Sequence, residues 1–295
     1  MLRVHDNVLL RSVSILPVLM VMAILLLEYY VFMMEYWMPE FQRSVEFVVL
    51  WRLFEAFLFH FVVGCVLVAY FKVVLTDPGY VTPTLIQCMK DAMQEAMEEG
   101  GGKTLPMVST CQKCHLLKPF RAHHCSFCNR CVLKMDHHCP WVANCVGQGN
   151  YKFFFHFVIY AFIALSLCVR ALFGDFQAAL FSENASHDAS KFSAMAVVGF
   201  VLAGALGISL LGFIVVHSYL LIHGATTIEC HEYGRAFPFN QGWRMNVNQV
   251  FGETKKDWFL PTTPAQKQRY VLHPAELKHL TADICLGNDE DDTLL

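Results

Sequence analysis

Charge is what this sequence has least of. Asp, Glu, Lys and Arg make up only 16% of its 295 residues, against 55% hydrophobic ones. The mean hydropathy is positive. That is too apolar for an ordinary soluble domain and points to a membrane protein. An excess of positive charge is missing too. The net charge of −3 supplies no basic field of the kind that holds a nucleic acid. The first apolar run lacks a clear small-residue cleavage site, so it is read as a retained membrane helix rather than a secretory signal. No ankyrin repeat or SH3-like extension is present to name a recruiting partner.

Long apolar runs take the place of charge. Four of them, at about 12–34, 53–75, 153–173 and 192–223, reach the roughly 20 helical residues that cross a hydrocarbon core. Pro17 and Glu28 interrupt the first and read as a kink and an interfacial carboxylate. The stretch from Glu35 to Arg52 reads as a short hairpin linker. In the second run Glu55 stands near one end, and His60 reads as an interhelical hydrogen bonder rather than a ligand. Arg170 lies near the far end of the third, placed to snorkel. The fourth is rich in small residues (Gly199, Gly204, Ala205, Gly207, Gly212) that permit close helix packing.

Four spans put both termini, and whatever lies between the second and third, on one side. Eight Lys/Arg fall in 76–152 and seven in 224–295, against two in 35–52 and one in 174–192. The positive-inside rule places the richer side in the cytosol. The sequon Asn184-Ala185-Ser186 falls on the opposite side, as its use requires. The chain thus divides into two spans (1–75), a cytosolic segment (76–152), two more spans (153–223) and a cytosolic C-terminal region (224–295). After the second span, Asp77-Pro78-Gly79 is a helix-ending turn. Thr84 to Glu99 then places Leu85, Met89, Ala92 and Ala96 beside Ile86, Met93 and Met97 at helical spacing. This is an amphipathic helix with an acidic face, stopped by Gly100 to Gly102 and expected to pack on its neighbour rather than on anionic lipid.

Cys111 to Cys145 concentrates the chemistry, with seven of the twelve cysteines and five histidines. Cys111/Cys114, Cys125/Cys128 and Cys128/Cys131 have the C-x-x-C spacing that turns two thiolates onto one metal ion. A disulfide framework would leave the pairs His123-His124 and His137-His138 without a role, so zinc is preferred. Two closed tetrahedral Cys3His sites would use six cysteines and two histidines and leave one cysteine over. Spacing does not say which. Cys139 has the most unusual setting, Asp136-His137-His138-Cys139-Pro140-Trp141. There an imidazole could take the thiol proton and a carboxylate orient the imidazolium. The segment is locally basic (Lys113, Lys118, Arg121, Arg130, Lys134), for solubility or for contact with phosphates, those of anionic lipid among them.

From Cys111 through Cys145, the stretch resembles the cysteine-rich domain of the DHHC protein acyltransferases, membrane enzymes that move palmitate from palmitoyl-CoA to protein cysteines. Asp136-His137-His138-Cys139 is the signature, Asp77-Pro78-Gly79 stands where the family has the same tripeptide, and Thr226-Thr227-Ile228-Glu229 is similar to its TTxE motif. Asn246-Val247-Asn248-Gln249-Val250-Phe251-Gly252 resembles its C-terminal element. One departure is Ala143, where the family usually has an asparagine before Asn144. The resemblance implies four transmembrane helices with a two-zinc domain between the second and third. One zinc would sit on Cys111, Cys114, His124 and Cys131, the other on Cys125, Cys128, His138 and Cys145. Cys139 is then left as nucleophile, His137 as base and Asp136 as its orienter. A TTxE threonine (Thr226 or Thr227) would orient Asp136, Asn246 would hold the C-terminal segment against the helices, and Trp141 would line the mouth of an apolar home for the acyl chain.

The expected activity is therefore two-step S-acyl transfer from palmitoyl-CoA or another long-chain acyl-CoA to cysteines of membrane-associated proteins. A catalytically silent, membrane-anchored zinc scaffold is the alternative. A transporter would want ionisable residues facing one another within the spans, for which Glu55 and His60 are thin support, and a nucleic-acid finger lacks its helix. Residence in the Golgi or another endomembrane, or the plasma membrane, is expected. Cys65, Cys88 and Cys230 stand near membrane borders, and Cys230 is a candidate secondary acylation site. The acidic end, Asn288 to Leu295, reads as a solvated tail, with a di-leucine sorting signal or a PDZ-type C-terminal ligand as weaker readings.

Overall fold

A computed structural model describes residues 8–100, 109–181 and 193–263. Asn184 and the end Asn288 to Leu295 lie outside the described residues. Helix α1 (Val8–Tyr30) continues through π-helical turns (Val31–Trp37) into α2 (Met38–Gln42), and α3 covers Glu46–Leu75. After α4 (Pro83–Gly100) come three short hairpins, then α5 (Tyr151–Phe181), α6 (Ala194–His223), α7 (Thr227–Tyr233), α8 (Trp243–Phe251) and α9 (Lys255–Phe259). Among the described residues, four helical stretches are long and apolar enough to cross a membrane: Ser14–Gln42, Val48–Leu75, Tyr151–Phe181 and Ala194–His223.

The first connection is much shorter than the expected linker. Glu35 lies inside the π-helical turns, and α2 carries the helix on to Gln42. Pro39 is the second residue of α2. Glu46 opens α3, where the helix dipole favours an acid. Only residues 43–45 join the two.

The chain divides into two compact units. One comprises Ile15–Phe71 and Phe154–His217, most of the length of the four spans. Its core stacks Phe32 on Phe59, ring centroids 3.7 Å apart, among Val31, Leu165, Leu172, Ala196 and Ala203. Of the glycines in the fourth span, only Gly199 sits in a close approach, since a Cβ there would come within 2.9 Å of a Val31 methyl. Gly204, Gly207 and Gly212 have open space at that point, so among these glycines the expected close packing rests on Gly199. His60 does meet a neighbouring span, through the Tyr29 hydroxyl at 3.0 Å.

Two intramembrane charges differ from expectation. Glu28 is not interfacial: the helix runs on past it to Gln42, and its carboxyl group is buried against Cys168. Arg170 does not simply snorkel. It pairs with the buried carboxylate of Glu55, which also accepts from Arg52 (2.9 Å) and from the Tyr36 hydroxyl (3.1 Å). Arg52 in turn reaches Glu40 at 2.7 Å.

The other unit comprises the described residues within 8–14, 72–153 and 218–263. Its hairpins are antiparallel: β1 (Ser109–Thr110) with β2 (Leu117–Lys118), β3 (His123–Cys125) with β4 (Arg130–Val132), and β5 (His137–Cys139) with β6 (Asn144–Val146). Leu85, Ile86 and Met89 of α4 pack on Cys111, Ala122, Cys131 and Leu133, the neighbour contact its apolar stripe foretold. The Asp77-Pro78-Gly79 turn is closed by Asp77 Oδ1, which accepts from the Gly79 and Tyr80 amides at 2.8 Å each. Gly149 donates to the Pro78 carbonyl (3.1 Å), and any Cβ on Gly149 would collide with the Asp77 carbonyl oxygen. The turn thereby clamps the segment that follows β6.

Candidate active site and metal centres

Successive side chains of a strand point to opposite faces, and the two hairpins exploit this. In β3–β4, His124 is paired with Cys131, and in β5–β6, His138 is paired with Cys145. Each pair meets a C-x-x-C turn. His124 Nδ1 lies 3.1 Å from Cys114 Sγ, 3.6 Å from Cys111 Sγ and 3.9 Å from Cys131 Sγ. His138 Nδ1 lies 3.4 Å from Cys128 Sγ, 3.5 Å from Cys145 Sγ and 3.8 Å from Cys125 Sγ. Within each foursome all ligand atoms fall within 4.8 Å of one another.

These distances fit zinc. A tetrahedron with zinc–sulfur bonds of about 2.3 Å has sulfur–sulfur edges of about 3.8 Å, and Cys114–Cys131 and Cys128–Cys145 are 3.8 and 3.5 Å apart. The amides of Cys114 and Cys128 point back at Cys111 Sγ (3.5 Å) and Cys125 Sγ (3.3 Å), as suits thiolate acceptors. The rest of the protein supports the ligands, with Phe127 stacking on His138 at 4.5 Å. Tyr80 packs among Cys125, Cys128 and Cys145, and its hydroxyl bonds Cys128.

Alternation also separates His137 from His138. His138 turns to the second foursome, while His137 and Cys139, two residues apart on β5, share the other face. His137 Nδ1 is 2.7 Å from Asp136 Oδ2, and the imidazole also bonds Cys139. With Nδ1 on the carboxylate, Nε2 is the nitrogen left to serve the thiol. Burial lowers the His137 imidazole, but its bonds to Asp136 and Cys139 outweigh this and push it up to about 9. Asp136 is fully buried. It accepts from the Thr227 amide at 3.0 Å and the Thr227 hydroxyl at 3.2 Å, and that hydroxyl also donates to the Asp136 carbonyl. Cys139 is buried and Trp141, two residues on, is half exposed. The arrangement allows an imidazole, held by a carboxylate, to take a thiol proton.

The two TTxE threonines divide the work. Thr226 caps α7: its hydroxyl accepts from the Glu229 amide (3.2 Å), and its own amide donates to Glu229 Oε2 (3.0 Å), a capping box. Thr227 is the one on Asp136. Asn246 stands on α8 and donates to the Ile222 carbonyl at the end of α6, 2.7 Å.

Three links carried no spacing signal. Arg121 holds both oxygens of buried Glu229, at 2.5 and 2.6 Å, and the Gly224 carbonyl at 2.7 Å, tying the cysteine-rich segment to α7. Burial, with Arg121 nearby, pushes the Lys134 amine down to about 7. Asn144, across β5–β6 from Cys139, caps the end of α3 by donating to the Val73 (3.0 Å) and Thr76 (2.9 Å) carbonyls. Asn150 donates to the Cys145 carbonyl at 2.8 Å and accepts from the Gly147 amide at 3.0 Å. Ala143 adopts a left-handed conformation, φ 47°, which asparagine tolerates better than alanine. Neighbouring Asn144 and Cys145 keep their partners regardless.

Fold and site together define a class: a four-span membrane protein whose cysteine-rich segment carries two metal-binding foursomes and a Cys–His–Asp array. Residues 107–233 match the family model described as DHHC palmitoyltransferase. The chain is 38% identical over 216 residues to "Probable protein S-acyltransferase 14" of Arabidopsis thaliana, covering 69% of this chain and 70% of that one. It is 37% identical over 258 residues to "Probable protein S-acyltransferase 12" of the same plant (85% and 88% covered). It is 32% identical over 275 residues to "Palmitoyltransferase ZDHHC15" of Homo sapiens (85% and 79% covered). The chain belongs to the DHHC palmitoyltransferase family, and its enzyme class is protein S-acyltransferase.

Proposed function

We propose that this chain moves a long-chain acyl group, palmitate above all, from acyl-CoA to cysteines of membrane-associated proteins through an acyl-Cys139 intermediate. The hydrogen-bonded series Thr227–Asp136–His137–Cys139 carries this reading. His137 Nε2 takes the Cys139 proton, and the thiolate adds to the thioester carbonyl. The bond from carbonyl carbon to CoA sulfur breaks as the bond to Cys139 Sγ is kept, and the CoA thiolate leaves with the proton from His137. In the second step an acceptor cysteine, deprotonated by the same imidazole, takes the acyl carbon and Cys139 regains its proton. One thioester replaces another, so the reaction is nearly balanced in energy. Rate must then come from positioning and an activated thiolate.

Cys111, Cys114, His124 and Cys131 would hold one zinc, and Cys125, Cys128, His138 and Cys145 the second. The ions would supply folding energy to hairpins too short to stand alone. The bias of Lys and Arg supports a cytosolic site with both termini on that side.

The test is label from palmitoyl-CoA retained on purified enzyme in detergent. Wild type should carry a hydroxylamine-labile label that Cys139→Ser lacks at equal zinc content, and His137→Ala should acquire it far more slowly. Equal labelling of wild type and Cys139→Ser would remove Cys139 from the mechanism and favour a zinc scaffold.

A further inference from the structure

The short stretch after the Asp77-Pro78-Gly79 turn supplies neither a metal ligand nor a reacting group, yet it lies against both foursomes. There the chain runs antiparallel beside β4. The Val81 amide donates to the Cys131 carbonyl at 2.9 Å, the Leu133 amide donates to the Gly79 carbonyl at 2.8 Å, and Tyr80 is paired with Val132 between them. Side chains alternate along such a ladder. Val81 accordingly packs with Cys111 and Cys131 of the first foursome, beside Leu85 and Leu133. Tyr80 faces the other way with Val132, onto Cys125, Cys128 and Cys145 of the second. Its amide is fixed by Asp77 Oδ1 at 2.8 Å, and its hydroxyl bonds Cys128.

A hydroxyl at this point meets a particular need. Three thiolates and one imidazole around a divalent ion leave one negative charge, and in the second foursome all three cysteines are buried. Buried charge is costly unless donors face it. The Cys128 amide serves Cys125 Sγ at 3.3 Å, and Tyr80 is the donor at Cys128 Sγ. The Arg130 guanidinium lies 5.3 Å from the Tyr80 ring centroid, where a cation draws on the ring's electrons and makes the phenol a better donor. The first foursome differs: Val81 and Leu85 beside it are apolar, and its Cys114 and His124 are half-buried, within reach of solvent.

We propose that Tyr80 supports the second zinc centre, its O–H bond to the Cys128 thiolate setting how firmly that ion is held. His138 and Cys145 stand on β5 and β6. The ion that Tyr80 secures is therefore the one that orders the hairpin of His137 and Cys139. Such a role presupposes the zinc proposed above and not the acyl transfer.

Full-length protein in detergent tests it. Wild type should carry one zinc in each foursome, and wild type without zinc would overturn the zinc reading and this role together. Tyr80→Phe keeps the ring and removes only the hydroxyl. Titrated with a competing chelator, it should hold zinc roughly 10- to 100-fold more weakly than wild type. With cobalt in place of zinc, the sulfur-to-metal charge-transfer band should move to longer wavelength, because an unbonded thiolate gives up charge more easily. Unchanged zinc affinity would overturn the proposal. Weaker affinity with an unmoved cobalt band would equally overturn it, by tracing the loss to packing rather than to the bond. Should Tyr80→Phe fail to fold, a monofluorinated tyrosine in place of Tyr80 decides the same question, since its more acidic phenol donates more strongly. Tighter zinc and a band at shorter wavelength would then support the bond, and no change in either would sink it.

Discussion

Asp136 has no exposed surface and spends its oxygens on His137 and Thr227. Its carboxylate is thus committed to holding the imidazole. Asp136→Asn keeps the shape but removes the charge, and the expected loss in acylation rate is roughly 10²- to 10⁴-fold, the range of a positioned acid–base group. Single-turnover release of CoA measures it, and unchanged zinc content separates it from unfolding. Thr227→Val deletes one hydroxyl to a charged acceptor, an interaction of about 1.5–3 kcal/mol. Its expected cost is about 10- to 100-fold in the same assay, while Thr226→Val should act through the stability of α7. The sequence could not make that division. Two adjacent threonines differ by one residue along a chain, and only the cap geometry of Thr226 says that Thr227 must face Asp136.

The long helices, the C-x-x-C turns and the period-2 placement of His137 with Cys139 are written in local sequence, because hydropathy and spacing are short-range properties. Where the hairpins attach is not. Asn144 caps a helix that ended some seventy residues earlier, and nothing near Asn144 announces it. Asn144→Ala takes the donor from the Thr76 carbonyl and leaves the Val73 carbonyl only Asn150, at 3.4 Å, so a loss of about 1–3 kcal/mol is expected. It should be visible as a lower melting temperature in detergent, together with slower labelling of Cys139 across the hairpin. Gly149→Ala drives a methyl against the Asp77 carbonyl and should cost at least about 1–3 kcal/mol. In the spans, Glu28 and Arg170 were misread for one reason. Helix length past an ionisable residue, and the partner waiting on another helix, decide whether it is a boundary or a core residue. Glu55→Ala removes the acceptor that Arg52, Arg170 and Tyr36 share, while Arg52 keeps Glu40, so a loss of about 1–3 kcal/mol is expected, measured as thermal aggregation in detergent.

The two ligand foursomes interleave: His124 of the first and Cys125 of the second are neighbours on one strand. Each ion would therefore order a hairpin that the other needs. A zinc-stripped enzyme should lose both hairpins in one transition, and Cys128→Ser, which touches only the second foursome, should lower bound zinc by more than one ion per chain. Metal analysis of the purified variant decides this, since loss of a single ion with normal labelling of Cys139 would make the two sites independent. The clamp at Asp77, the Arg121–Glu229 pair and the Asn144 cap then join these hairpins to the end of α3 and to α7.

The intermediate itself is tested most directly by separating the two steps. Enzyme labelled with palmitoyl-CoA is freed of all acyl-CoA and then offered a cysteine-containing acceptor. Transfer through acyl-Cys139 predicts that label leaves the enzyme and appears on the acceptor in equal amount, with no CoA present. If the label stays on the enzyme, and the acceptor is acylated only when acyl-CoA is added back, transfer is direct and the acyl-Cys139 account is wrong.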